Sequence, residues 1–322
     1  MIPPWPPVRH MAFAAIWAAA LILVSPPAAE AAPSPSPSPP SVSQPQMDLG
    51  QTSFLDGEAG VGGLFEAIGD GTATNTTTDA SGHALPGRHG QSSLSFTLHP
   101  AYVTGLDLLG GHPGLEFLFP FASVRQDVAG APALSGAGVG DMTIAPFVQW
   151  SDGRLLGRPL SLRLAMQVVA PTGSYSPDRP INMGQNAWQV SPYLAFTWRA
   201  SQRWEVSGRA IYDWSGRNDR PALAPAASTS QAGDQFTMNL SASYAVADDW
   251  RLGVAGYAYR QLRDARFDGQ GLRGSIQQDF GLGPGLWWGR GHTSVIATAY
   301  GEFETRNRPQ GVNAVLRLLQ TF

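Results

Sequence analysis

The first residues in this chain that could do chemistry are five histidines beyond the N-terminal leader: His83, His89, His99, His112 and His292. A histidine beside a nucleophile would make a hydrolase, and clustered histidines would bind zinc. Their surroundings favour neither. No GxSxG, HExxH or P-loop pattern is present. His83 and His89 fall in a polar loop without further ligands. His99, His112 and His292 fall toward the periplasmic end of the topology read below, the wrong side for surface-lipid chemistry. The chain has no cysteine, which removes thiolate metal sites and disulfides and suits a protein crossing an oxidising periplasm. No enzyme, metal or cofactor is expected.

A second set of polar residues is spaced for something other than catalysis. Arg163, Gln167, Arg199, Glu205, Arg209, Asp213, Arg251, Arg273, Asp279, Glu302 and Arg317 share one parity of a series of alternating runs. Both charge signs occur in similar number, which points to a weakly selective pore or to ion-paired ladders filling a narrow lumen. Tyr175, Tyr193, Tyr257, Tyr259 and Tyr300 could stack on an aromatic ligand, although tyrosine is also a common girdle and packing residue.

The elements that must position these residues are strands. Trp188 and Trp198 bracket one alternating run by ten positions, and Trp204 and Trp214 bracket the next. At about 3.3 Å per residue and a tilt of about 45°, such a run spans about 23 Å of membrane thickness. That is an apolar band between two aromatic girdles. One parity offers Val190, Leu194, Phe196, Val206, Ala210 and Tyr212 to lipid. The other carries Gln189, Ser191, Glu205, Arg209 and Asp213, and an arginine at mid-bilayer costs roughly 2 to 4 kcal/mol. The register is thereby fixed, and a soluble β-sandwich would have to treat the tryptophan spacing as accident.

Period-2 runs lie at 92–103, 114–124, 140–150, 159–171, 187–199, 203–214, 235–246, 250–262, 272–282, 292–304 and 311–322. A twelfth, around 55–65, is glycine-rich and could instead begin a plug. The expected fold is all-β: a transmembrane antiparallel up-and-down barrel of about twelve strands, with fourteen as the alternative. Short connections at Arg199–Arg203 and Ala247–Asp249 face the periplasm, and the long segments 172–186, 215–234 and 263–271 face outward. Both termini then fall in the periplasm. Phe322 ends a strand that carries Val312, Ala314, Leu316 and Leu318 on its own parity. This is the pattern of a terminal signal read by barrel-assembly machinery, with Gln320 departing from it.

The N-terminus has Arg9 and His10, an apolar run from Met11 to Val24 and small residues around Ala29 and Ala31, the layout of a secretory signal peptide over 1–31. Residues 32–46 form a Pro/Ser-rich linker, expected to stay extended as a periplasmic leash. Residues 47–322 form the barrel, with 47–90 in part a plug or long loop. With 14% charged residues and a net charge of -3, no nucleic-acid partner is implied. Outer-membrane lipid is the expected surroundings, in a Gram-negative bacterium.

Prolines interrupt the runs at Pro100, Pro120, Pro146 and Pro192. In a closed barrel every strand is central, so each proline removes a ladder donor and implies a bulge or a local gap. Such gaps could merely shape the wall, or could open a lateral path from lumen to bilayer.

Several motifs recur in order: GVGDMTIAPF (Gly138–Phe147), APTGSY (Ala170–Tyr175), GQNAWQVSP (Gly184–Pro192), AGDQF (Ala232–Phe236), GYAYRQLRD (Gly256–Asp264), LGP (Leu282–Pro284) and EFETRNRPQG (Glu302–Gly311). With these the chain resembles, from about Gly110 to Phe322, the family named for the meta-pathway of phenol degradation. The resemblance implies an outer-membrane transporter or porin associated with the catabolism of aromatic and other hydrophobic compounds. Locally the motifs also read as turn chemistry: Gly138, Gly140 and Asp141 suit a loop entering a strand, where Asp accepts from backbone amides. The expected function is passive uptake of a small hydrophobic or aromatic solute. A general porin and a structural or adhesive barrel with a closed lumen are the alternatives.

Overall fold

The computed structural model describes Val42, residues 44–224 and residues 226–322. The expected signal peptide, and residues 32–41 and 43 of the expected Pro/Ser linker, lie outside the described residues. Alternation of buried and exposed positions produces a closed antiparallel barrel whose strands are β1 Gly62–Thr77, β2 His89–Val103 and β3 His112–Val128. β4 follows in two parts, Leu134–Val139 and Met142–Leu155. The rest are β5 Arg158–Ala170, β6 Gln189–Trp198, β7 Trp204–Ser215, β8 Gln235–Ala247, β9 Trp250–Gln261, β10 Gln278–Arg290, β11 Thr293–Arg306 and β12 Pro309–Thr321. The two parts of β4 count as one strand. Both pair with β3, Val139 opposite Phe121 and Thr143 opposite Leu118, and Gly140 N donates to Pro120 O across the interruption. Each strand pairs with the next, and β1 pairs with β12 from Leu64–Thr321 to Thr77–Pro309, which closes the ring. The barrel is twelve-stranded, as the sequence predicts.

Two strands depart from the runs read in the sequence. The first strand begins at Gly62 and continues to Thr77, well past 65. The strand expected at 272–282 lies at Gln278–Arg290. As a result Arg273, expected to face the lumen, is exposed in the 262–277 loop. Glycine-rich stretches weaken the apolar contrast that marks a strand's two faces, so the register there was not readable from pattern alone.

Short connections at 156–157, 199–203, 248–249 and 291–292 share one end of the barrel, the turn end, while 78–88, 171–188, 216–234 and 262–277 share the loop end. Outward side chains are apolar and exposed, among them Leu164, Leu194, Tyr212, Leu240, Leu252, Val254 and Leu282. A soluble protein would hide such a band, and lipid covers it here. Trp188 and Trp214 face outward near the loop end and Trp198 and Trp204 near the turn end. At the turn end Trp204 packs edge-on against Tyr244 at 5.1 Å, and Trp250 lies 6.4 Å from Trp288. On β12 the outward parity is Val312, Ala314, Leu316 and Leu318, and Phe322 is exposed while its N–H donates to Gly63 O.

Candidate functional site

The inside of the barrel is filled by the chain's own N-terminal segment. Val42 packs with Ala232, Ala265 and Phe267 of the loop-end connections. Gln44 accepts from Gln235 Nε2 (3.1 Å), and Gln46 donates to Asp141 O (2.6 Å) and Gln189 Oε1 (3.1 Å). Descending, Gly50 N donates to Asn239 Oδ1, and Gly50 O accepts from Tyr300 OH at 2.8 Å. Leu55 N reaches Glu205 Oε1 at 3.0 Å. Gly57 lies between Thr197 Oγ1 and Gln149 Nε2. At the turn end Glu58 takes a two-armed hydrogen bond of 2.6 Å from Arg199, and the carboxylate pushes that guanidinium up from its ordinary range. Val42 and residues 44–61 therefore form a strap running through the lumen from loop end to turn end, where the chain reverses into β1. Gln44 and Gln46, expected in an extended linker, are packed at the loop-end mouth. The ends of the barrel itself, Gly62 and Thr321, do share the turn end as expected. The strap's start does not.

Backbone N–H and C=O groups of an irregular segment must find partners when buried, and the polar lumen supplies them. The inward parity of β6 to β8 carries Thr197, Glu205, Ser207, Arg209 and Asn239, all buried. Room for the strap comes from inward glycines. Any Cβ on Gly253 or Gly285 would lie within 3 Å of the Phe54 ring. One on Gly57 would meet the Phe196 backbone at 2.4 Å. Phe54 is 1% exposed and belongs to a cluster with Ile68, Tyr257, Ile296, Tyr300 and Val315.

The residues singled out in the sequence fall into three groups. Arg209 forks onto Asp56 of the strap with two bonds of 2.8 Å, lies 3.8 Å from Asp48 and covers the Tyr193 ring at 4.3 Å. Arg163 stands over Phe147, donates to Gln149 and lies 3.5 Å from Glu116, which also accepts from Tyr193 OH at 2.8 Å. Arg317 donates to Glu66. A second group links neighbouring strands of the wall as well as holding the strap: Glu205 accepts from Ser207 and Ser243, Arg251 donates to Ser243, and Gln189 donates to Asp213 at 2.9 Å. A third group lies toward the loop end, where Tyr257 donates to Glu302 at 2.9 Å, and Arg308 covers the Tyr259 ring at 4.9 Å and pairs with Asp279 at 3.3 Å. Gln167 is half-buried on the inward parity of β5, and Tyr175 holds loop-end residues Arg220 and Asn218. Tyr193, Tyr257, Tyr259 and Tyr300 are buried against arginines, one another or the strap, so none presents an open face for stacking.

Sequence reasoning missed the strap acids Asp48, Asp56 and Glu58 and the cluster Glu66–His99–Glu116. His99 bridges the two glutamates, with Nδ1 2.8 Å from Glu66 and Nε2 3.2 Å from Glu116. A signal existed: the lumen arginines needed counter-charges, and the short acid-bearing stretch before β1 offered them.

Three of the recurring motifs meet at one junction. Asp141 Oδ1 accepts from Gly173 N and Oδ2 from Gln185 N, both at 2.7 Å, pinning the 171–188 loop to the interruption in β4. A Cβ on Gly173 or Gly184 would lie 2.8 Å from the opposing backbone, so glycine is required there for close approach.

Two cavities flank the strap. The larger, about 400 Å³, lies at the turn end. Its apolar wall is built by Phe54, Val103, Phe147, Trp287, Ile296 and Leu319, and its polar wall by His99, Arg163, Arg209 and Arg317. The smaller, about 190 Å³, lies at the loop end between Met47, Asp70, Glu302 and Asn313. Strand pairing breaks beside the larger one. No partner pairs join β2 and β3 between Leu98–Phe119 and Ala101–Glu116, around Pro100, nor β4 and β5 between Ile144–Val168 and Phe147–Ala165, around Pro146. Pro120 sits at the interruption of β4, and Pro192 at a gap between β6 and β7. Pro284, which the misplaced strand concealed, marks another between β10 and β11.

The crystal structure of the COG4313 outer membrane channel from Pseudomonas putida F1 is similar in fold, with a TM-score of 0.73 at 19% identity over 82% of this chain and 97% of that one. The transport unit of the autotransporter AIDA-I from Escherichia coli aligns at a TM-score of 0.48, with 9% identity over 81% and 90%. The TodX monoaromatic hydrocarbon channel deltaS2 mutant aligns at 0.45, with 10% identity over 82% and 91%. Comparison with curated proteins gives no match. The model of the family described as "Putative MetA-pathway of phenol degradation" matches residues 74–318, from the end of β1 into β12, and the chain belongs to that family.

Proposed function

We propose that this barrel is an outer-membrane channel for the passive uptake of small hydrophobic, including aromatic, compounds. The observation that carries the reading is the turn-end cavity, an apolar chamber inside a polar lumen that abuts wall sections where strand pairing is interrupted. Solutes would be captured by the loops, pass beside the strap along β12, β1 and β2, and rest in the chamber. They would leave either to the periplasm or sideways to lipid near Pro100, Pro120, Pro146 and Pro192. The bilayer is an attractive destination for a molecule that water dissolves poorly. The strap argues against a general porin, since it takes up the lumen that a water column would need. Insertion through barrel-assembly machinery, guided by the β12 parity and Phe322, belongs to the same reading. No energy source or cofactor is required.

The same strap favours a second reading, a closed structural or adhesive barrel. Uptake by proteoliposomes containing the refolded mature chain separates the two, with protein-free liposomes as baseline. A small neutral aromatic should enter in a protein-dependent way and a sugar of similar size should not. Equal uptake of both would establish a general porin, and uptake of neither would favour the closed barrel.

A further inference from the structure

The turn-end chamber has a polar wall that a purely hydrophobic solute would leave unused. Arg317 is 6% exposed and lines it. Its Nε donates to Glu66, while its Nη1 has no acceptor among the described residues. A buried guanidinium N–H without a partner is costly, and Arg317, whose side chain lines the chamber, would gain by turning that N–H toward an acceptor entering from outside the chain. The acids that share the wall are already committed: Asp56 to Arg209, Glu58 to Arg199, and Glu66 to both Arg317 and His99.

The strap shows which acceptor fits. Asp56 places a carboxylate in the fork of Arg209 with two bonds of 2.8 Å, and two residues earlier Phe54 buries a ring against Ile296 and Tyr300. Both residues line the chamber. An apolar ring and a carboxylate two residues apart on one segment, both facing one chamber, are the two halves of an aryl-alkyl carboxylic acid, so the strap occupies part of its own chamber with an imitation of such a molecule. The remaining volume, about 400 Å³, is in the range of small-molecule sites.

We propose that the chamber is a binding site for a small amphiphile with an anionic carboxylate head. The head sits on Arg317 and competes with Asp56 for Arg209, and the apolar body lies between Val103, Phe147 and Leu319. This rests on the uptake reading and narrows its solute class from hydrophobic compounds in general to those carrying an acid.

The test is calorimetric titration of the refolded, detergent-solubilised protein with 4-phenylbutyrate and with 4-phenylbutanol, with protein-free micelles as the blank. The acid should bind about tenfold more tightly than the alcohol, as a charge-assisted bond to guanidinium confers. Arg317→Gln should cut that ratio to near one. Asp56→Asn, which removes the competing carboxylate, should tighten the acid severalfold. A gain of affinity is a result that a misfolded barrel cannot give. Equal binding of acid and alcohol overturns the proposal and leaves the uptake reading standing, and so does an Asp56→Asn variant with unchanged or weaker acid binding. Binding of neither compound overturns both.

Discussion

At the scale of single residues, the barrel depends on a few side chains that fasten backbone to backbone. Asp141 is the clearest. It is buried in the break of β4 and takes one amide on each oxygen from the far ends of the 171–188 loop. Asp141→Ala removes two charge-assisted bonds and leaves their amides to find other partners, a cost of about 3 kcal/mol, paid locally. Limited proteolysis with a broad-specificity protease should cut the 171–188 loop much faster in the variant while the strands stay intact, and unchanged cleavage would show that the loop is held by something else. The sequence did reveal Asp141 as an acceptor for nearby amides, because Gly-x-Gly-Asp before an alternating run has a local physical meaning. It could not reveal which amides, since Gly173 and Gln185 lie 32 and 44 residues onward. The same limit applies to Arg209: its inward parity was readable, but its partner Asp56 lies 153 positions away.

At the scale of elements, legibility followed the contrast between a strand's two faces. β6, β7 and β8 alternate buried polar with exposed apolar residues along their length, and their bounds were read within two residues. β1 presents Gly69, Gly71 and Ala73 outward, and β10 places Gly281, Gly283 and Gly285 on its inner side, so small residues erase the signal on one face of each. These glycines have a purpose invisible in a strand considered alone: a Cβ on Gly281 would lie 2.2 Å from the Tyr257 ring, and one on Gly285 would meet Phe54 of the strap. The strap itself had no periodicity to read. Its partners are spread over β4, β6, β7, β8, β11 and β12, and it is irregular because it must meet each in turn. Deleting residues 42–60 should raise single-channel conductance severalfold in planar bilayers, since an unfilled lumen conducts by water-filled cross-section. Conductance at the level of the full chain would mean that the wall side chains close the lumen without the strap.

At the scale of the whole molecule, the wall is not uniform. Pairing gaps follow one another from β2 to β5, where His99, Val103, Phe147 and Arg163 also line the larger chamber, and Pro120 and Pro146 stand in two of them. Replacing both by Val restores two ladder donors. In a variant that still shows the heat-modifiable mobility of a folded barrel, uptake of a hydrophobic solute should fall severalfold if those gaps are the way out. Unchanged uptake would reject the lateral path and leave axial release to the periplasm. Strand count and closure were legible because lipid imposes one repeated demand on every strand. The chamber was not, because it exists only where a strap, three arginines and an interrupted strand ladder coincide.

Twelve strands alone would return the chain to the face where it began, but the strap adds one more pass, which makes the total odd. Val42 and Phe322 therefore lie at opposite ends of the barrel, and the molecule carries a polarity that a hairpin-built barrel lacks. The absence of cysteine makes this directly measurable. With the loops outward, Gln44→Cys should react with a membrane-impermeant maleimide on intact cells, and His292→Cys should react only once the outer membrane is breached. The reverse pattern would place the loops in the periplasm. With the loops outward, the segment at Val42 would be addressable from the medium and Phe322 from within the envelope, with the solute's path lying between them.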